Sequence, residues 1–270
     1  MTVSHERNVD FALLLSPHGS GASDGGRDVQ ADDVSATYRS NALIAKLQGF
    51  STLSEDDRVV LAGLTGSPRA IDPGTDLCRE GDTPDGILIV TAGFACRYKL
   101  RPNGARQITD YLLPGDHCDL KALPGEMRGS IAALAPTKVA KVSSETLLSI
   151  QRDRPAIAEA FRKSAVIEGA VLREWLMNMG RRSADERLAH LFCELFTRMR
   201  AVGLVHGNSF RLPLTQFDLG DTMGLSYVHV NRTLQSLRQQ GLFTLSSKTL
   251  TILNPEGLQK LAGFDPSYLR

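Results

Sequence analysis

Between residues 41 and 69 the apolar side chains recur at three- and four-residue steps: Leu43, Ile44, Leu47, Phe50, Leu53, Val59, Val60, Leu61 and Leu64. That period predicts helix. Ser54, followed by Glu55, Asp56 and Asp57, has the chemistry of an N-cap with acids in the first turn, where free backbone N–H groups favour oxygen and negative charge. From 70 to 148 the period changes. Turn signals recur at Pro73-Gly74, Gly81-Asp82, Asp85-Gly86, Gly93, Asn103-Gly104, Pro114-Gly115-Asp116 and Pro124-Gly125. Short runs between them, at 87–91, 95–100, 107–113 and 138–142, predict strands, and even spacing of short strands marks a β-sandwich or barrel. Asn103-Gly104 predicts a hairpin, because a type I′ turn needs positive φ at both central positions.

Residues 155–180 return to a helical period, opened by Pro155, which suits a first turn. Phe161, Ala165, Glu168, Leu172, Trp175 and Met179 fall on one track of alternating four- and three-residue steps, while Ile157, Ile167, Val171 and Leu176 lie on neighbouring faces. A helix apolar on more than one face must be covered on more than one face. The track therefore reads as a dimer seam against a second copy, with the β-region covering the rest; an ordinary core helix of a monomer is the alternative. Glu168 is the discordant member, since an acid in a seam needs a partner. A further helix follows, capped by Ser183 with Glu186 in a capping box and striped by Leu188, Leu191, Phe192, Leu195, Phe196 and Met199.

The stretch 212–253 says most about function. Thr215 caps a short helix carrying Phe217, Leu219 and Met223, which stops at Gly224; Ser226 caps the next helix, with Val230, Leu234 and Leu237 on its buried side, ending at Gly241. Two short helices joined by a tight Gly-containing turn form a helix-turn-helix. Residues 242–245 and 250–253 add a two-stranded wing. The polar side of the second helix holds Tyr227, Asn231, Arg232, Gln235 and Arg238, with no acid between Tyr227 and Ser247. Such a helix lies in the major groove with its first turns on the base edges. Arg232 can donate two hydrogen bonds to guanine O6 and N7, and Tyr227 and Asn231 share its side. Thr215, Gln216, Ser226 and His229 stand where phosphates pass. Lys248, in the wing, suits either a phosphate contact or plain solubility.

Composition narrows the class without naming it. The chain has 270 residues, 42% of them hydrophobic, and a net charge of +1, enough for two domains and uninformative about nucleic acid. Residues 16–33 are Gly-, Ser- and Asp-rich with almost no large apolar side chain, so the tail 1–40 is expected to be disordered. The apolar patch 11–15 is too short and too mixed in charge for a signal peptide, and no run of 18 apolar residues exists, so the expected location is the cytoplasm with no membrane contact. The four cysteines, Cys78, Cys96, Cys118 and Cys193, include no C-x-x-C, and no metal or other cofactor is expected. Enzyme chemistry is excluded on the β-region: it has one histidine, His117, no H-x-H pair and no G-x-S-x-G. A winged helix used only as a protein-binding surface is the remaining alternative.

Several segments resemble the cyclic-AMP receptor / fumarate-nitrate regulator (CRP/FNR) family over residues 43–262. They are Leu214-Thr215-Gln216 with Asp218-Leu219, Gly224-Leu225-Ser226, Asn231-Arg232-Thr233-Leu234 and Gly241-Leu242, preceded in order by Glu80-Gly81-Asp82, Gly93, Gly104 and Pro114-Gly115-Asp116. The resemblance implies an α+β chain: a cyclic-nucleotide-binding-like β-roll sensor (41–153), a dimerisation helix (154–180) and a winged helix-turn-helix (181–262). It also implies a homodimer on a pseudo-palindromic DNA site, a ligand-controlled sensor, and RNA polymerase as a further partner. The departures matter as much. Asp119-Leu120-Lys121-Ala122 stands where nucleotide binders carry Gly-Glu-(Leu/Met)-Ala, and Arg128-Gly129-Ser130 only loosely matches the phosphate-binding Arg-(Ser/Ala)-Ala, so cyclic AMP is not the expected effector. Residues 1–77 contain no cysteine, so the iron–sulphur cluster of other members is not expected. His117 and Cys118 read as loop residues rather than haem ligands. Val228 replaces a glutamate that accepts from cytosine, and offers a thymine methyl contact instead.

Overall fold

The computed structural model describes residues 41–119 and 126–270. The expected disorder of the tail 1–40, the segment Leu120-Lys121-Ala122 and the turn Pro124-Gly125 lie outside the described residues. Among the described residues the first elements are two short helices, α1 (Ala42–Gln48) and α2 (Glu55–Thr65). Asn41 caps α1, and Ser54 caps α2 in a capping box with Asp57.

Eight strands follow among the described residues: β1 (Arg69–Ile71), β2 (Asp76–Cys78), β3 (Ile87–Ala92), β4 (Ala95–Leu100), β5 (Arg106–Leu112), β6 (His117–Asp119), β7 (Ser130–Ala133) and β8 (Thr137–Val142). They form two four-stranded antiparallel sheets, in the orders β1-β8-β3-β6 and β2-β7-β4-β5. Leu88, Val90, Ala95, Leu112, Ile131 and Val139 fill the space between them. Each of the leucine, isoleucine and valine side chains among them contributes about 1.5–3 kcal/mol on burial. His117 and Cys118 are not loop residues: both sit in β6 and are buried, the His117 ring edge-on against Phe161. All four cysteines are buried, and none forms a disulfide among the described residues.

Helix α3 (Ser144–Asp153) leads into α4 (Pro155–Arg181), whose 27 residues make a rod of about 40 Å. Its first turns pack with α1, α2, β3 and β8 through Leu43, Leu47, Leu61, Ile89, Ala140 and Ile157. The C-terminal part comprises α5 (Ala184–Ala201), β9 (Ser209–Arg211), α6 (Gln216–Met223), α7 (Tyr227–Gln239), β10 (Phe243–Ser246), β11 (Thr249–Ile252), α8 (Pro255–Ala262) and a closing 3₁₀ turn at Pro266–Leu269. The wing holds one more strand than the sequence suggests: β9 pairs with β11 to give the order β10-β11-β9.

A third core crosses the domain junction. It runs from Cys96, Ile108 and Tyr111 in the β-roll, through Val171 and Trp175 on α4, to Phe192, Leu234 and Phe243. Trp175 is 7% exposed, meets Tyr111 edge-on at 5.6 Å, and donates its indole N–H to the Glu194 carboxylate at 3.1 Å. No described helix is long and apolar enough to cross a membrane.

Candidate DNA-binding interface

The helix-turn-helix is built from its caps. Thr215 Oγ1 accepts from the Asp218 backbone N–H while Asp218 Oδ2 accepts from the Thr215 backbone N–H, closing a capping box at α6. Gly224 ends the helix in the left-handed region, φ +64°, a conformation that costs a residue with Cβ. Gly220 is required for a different reason: a Cβ there would come within 2.7 Å of the Leu225 carbonyl oxygen, where the turn folds back on the helix. Ser226 then caps α7 by accepting from the His229 N–H. Val230, Leu234 and Leu237 are buried against the rest of the domain, which leaves the opposite side of α7 to solvent.

That outer side matches the expectation only in part. Tyr227, Val228, His229 and Arg232 are exposed, Val228 at 64%, and among the described residues Arg232 makes no hydrogen bond or ion pair. Arg232 is thus a free fork of donors at the second turn of the helix. Asn231 is committed elsewhere: its Nδ2 donates to Gln216 Oε1 at 3.1 Å, and its Oδ1 accepts from Gln235 Nε2 at 3.0 Å. It braces the two helices, and Gln216 keeps only its amide N–H groups for another partner. Thr215 is similarly engaged, since its hydroxyl donates to Asp218 Oδ2 as well as accepting from the backbone. Ser226 remains exposed.

Phe217 lies on the surface, contrary to its place in the predicted apolar stripe. It is 67% exposed and stacks on Tyr227 with centroids 5.0 Å apart. Its phase along α6 is opposite to that of Leu219 and Met223, a signal present in the spacing. In the wing, Ser247 and Lys248 form the two-residue turn with φ of +49° and +59°. Glycine or asparagine usually occupies such positions, so the turn spends conformational energy to hold Lys248 at the tip.

On α4 the protomer itself covers part of the expected seam. Trp175 is buried in its own protomer, Phe161 packs on the N-terminal core, and Glu168 turns toward Lys46, Asp110 and Asp116. A side chain already covered by its own chain has little area left for a second copy. The exposed large apolar side chains of α4 are Val166, Leu172 (57%), Leu176 (74%), Met177 and Met179, of which Leu172, Leu176 and Met179 fall on one line with Ala165 and Gly169. The steps 165, 169, 172, 176, 179 alternate four and three, so the outward line keeps Ala165, Leu172 and Met179 and exchanges Glu168 and Trp175 for Gly169 and Leu176.

Nothing in the sequence signals how the β-roll grips the helix-turn-helix. Arg106, at the start of β5, donates Nη2 to Asp218 and Nε to Asp221, both at 2.6 Å. Gln107 donates to the Thr222 carbonyl at 3.1 Å, and the hydroxyls of Tyr111 and Thr222 are hydrogen-bonded. Deeper in the junction, Arg198 on α5 bonds Asp116 at 2.7 Å and Glu194 at 3.1 Å and donates to the Tyr111 carbonyl, while Lys46 bonds the other oxygen of Asp116 at 2.7 Å. Burial alone would raise Asp116, but Lys46 and Arg198 hold its carboxyl down at about 2.

Known proteins share this arrangement. Residues 68–154 match the cyclic nucleotide-binding domain and residues 186–261 the Crp-like helix-turn-helix domain. The transcriptional activator protein FnrA of Stutzerimonas stutzeri is 28% identical over 213 residues, covering 78% of this chain and 87% of that protein. The fumarate and nitrate reduction regulatory protein of Escherichia coli (strain K12) is 27% identical over 215 residues, covering 78% and 85%. Among solved structures, FixK2 from Bradyrhizobium japonicum superposes with a TM-score of 0.66 at 24% identity, covering 74% of this chain and 98% of that one, which shows the fold. A winged helix serving protein contacts alone does not fit relatives that regulate transcription. With a nucleotide-binding-type β-roll, a long connecting helix and a Crp-like helix-turn-helix in this order, the chain belongs to the CRP/FNR family and is a DNA-binding transcription regulator of that type.

Proposed function

We propose that this regulator acts as a homodimer on a pseudo-palindromic site, its two α7 helices entering successive major grooves. Arg232, Tyr227 and Val228 read base edges in this arrangement: Arg232 a guanine through two donors, Val228 a thymine methyl. Gln216, Ser226, His229 and Lys248 face the backbone and set register. Asn231 and Thr215 act indirectly, by holding α7 against α6 and by capping α6. The observation that carries the reading is the exposed and acid-free start of α7, at Tyr227, Val228, His229 and Arg232.

The dimer face is the outward line Ala165, Gly169, Leu172, Leu176 and Met179. Leucine and methionine that exposed on a helix of this length need cover, and a second α4 supplies it at the same spacing. Control comes from an effector acting on the sensor, coupled to α6 through the contacts of Arg106, Gln107 and Tyr111. RNA polymerase is a further partner in this scheme.

The test is a set of genomic fragments recovered with the full-length protein, followed by titration of one site. Affinity should fall steeply as salt rises, because phosphate contacts release counterions. Arg232→Ala should cost about 1–3 kcal/mol on the cognate site and relax preference at one symmetric pair of positions. Equal weakening on every sequence would assign Arg232 to a phosphate instead, and no salt-sensitive preference for any duplex would end the reading.

A further inference from the structure

Sensor and DNA-binding domain do not close completely on each other. Between α1, the corner after β5, α4, α5 and the chain's C-terminus lies a cavity of about 230 Å³. Its wall is largely apolar, built from Leu113, Pro114, Ile167, Val171, Val202 and Leu269. Among the described residues, none on the wall comes from 117–119 or 126–130, which flank the stretch corresponding to the nucleotide-binding segment of other family members.

The wall carries three cations, Lys46, Arg198 and Arg270, and three acids, Asp110, Asp116 and Glu168, but they are not paired one to one. Lys46 and Arg198 are both consumed by Asp116, and Arg198 also serves Glu194. Asp110 reaches only the far side of Arg198, at 3.9 Å. Glu168 projects into the same space, and among the described residues it makes no hydrogen bond or ion pair. Arg270 borders the cavity but is exposed and makes no ion pair with Glu168. An anion entering here would find both inner cations taken and three acids, Asp110, Asp116 and Glu168, around it. Arg97 faces Asp110 and Glu168 from behind the wall, but it donates to Cys118 and does not line the cavity, so what Glu168 lacks is a directly paired cation.

We propose that this cavity is a binding site for a small organic ammonium, with its nitrogen paired to the Glu168 carboxylate and its apolar body against Leu113, Ile167 and Val171. Size follows from volume: a cavity of about 150 Å³ takes up benzene, so this one holds a body of roughly nine heavy atoms. Burial pushes the Glu168 carboxyl up to about 7, and a paired ammonium would bring it back down. Position gives the ligand a role. It touches α4 and the β-roll on one side and α5 of the DNA-binding domain on the other, so its occupancy biases how the two domains sit. This regulatory part rests on the effector control proposed above; the binding site itself does not.

The experiment uses the full-length protein and calorimetry with phenethylammonium, hexylammonium and cyclohexylmethylammonium chlorides, against phenylpropionate and phenylethanol as anionic and neutral counterparts. At least one ammonium should bind with one site per chain, about tenfold more tightly than to Glu168→Gln, and the two counterparts should not compete with it. Ala201→Phe, which fills the cavity while leaving Glu168 in place, should also abolish binding. Failure of all three ammonium ions at millimolar concentration, equal affinity for Glu168→Gln, or tighter binding of phenylpropionate would overturn the site. Titration of a cognate DNA fragment with and without the bound ammonium then tests the coupling. Unchanged DNA affinity would remove the regulatory role while leaving the site, and absence of DNA binding would leave the calorimetric result untouched.

Discussion

Replacing Glu168 by glutamine tests the junction most directly, because it removes one charge and almost no volume. An ordinary glutamate titrates near 4.5; burial, aided by Asp110 and Asp116 against Lys46 and Arg97, places Glu168 at about 7. The folded protein therefore holds a proton that the unfolded chain releases between these two values. Stability contributed by this group falls as pH rises through that window and levels off above it. The separation corresponds to about 3 kcal/mol, reduced to roughly 2–3 kcal/mol because the side chain is not fully enclosed. Glutamine does not titrate, so the variant should match the parent near about pH 4 and exceed it by that amount near about pH 8. Urea denaturation of both proteins at one fixed concentration, across this range, measures the difference while other titrations cancel. A difference independent of pH within about 0.5 kcal/mol would refute the idea that Glu168 is an uncompensated acid.

Arg198→Met should destabilise by about 3–5 kcal/mol, since Asp116, Glu194 and Asp110 lose their shared cation in a buried site; a loss below about 1 kcal/mol in urea denaturation would contradict the network. Leu176→Glu should convert the dimer to monomer in analytical ultracentrifugation, whereas Trp175→Phe should leave the oligomeric state intact and lower only stability; the reverse pattern would return the seam to Trp175. Arg106→Ala removes two partly exposed charge-assisted bonds between β-roll and helix-turn-helix, worth about 1–2 kcal/mol. Tryptic cleavage around Arg181 and Arg182, where α4 meets α5, should accelerate roughly tenfold, and an unchanged rate would show that the apolar core alone holds the domains together.

Much of this protein is legible in its amino-acid sequence, and for local reasons. Caps, turns and helical stripes are written within a few residues, so Ser54, Ser183, Thr215, Ser226 and Gly224 mark the helix boundaries that the fold uses. The strand runs at 95–100 and 138–142 fall within a residue of their place, because alternating side chains and turn residues act over the same short range. The helix-turn-helix is legible for that reason too. What the sequence leaves undecided is which of several apolar faces goes inward. On α4 the tracks through Trp175 and Leu176 differ by one residue, about a hundred degrees of rotation, and both are greasy. Only the packing of Tyr111 and Glu194 against Trp175 chooses between them. The same holds for Asn231, whose amide is available for DNA in the sequence pattern but is taken by Gln216 in the fold, and for Arg106, whose acids lie more than a hundred positions away. A charge network or cavity assembled from distant segments has no local period, so Glu168 is marked as out of place by its pattern, while the reason it is there belongs to the tertiary structure alone.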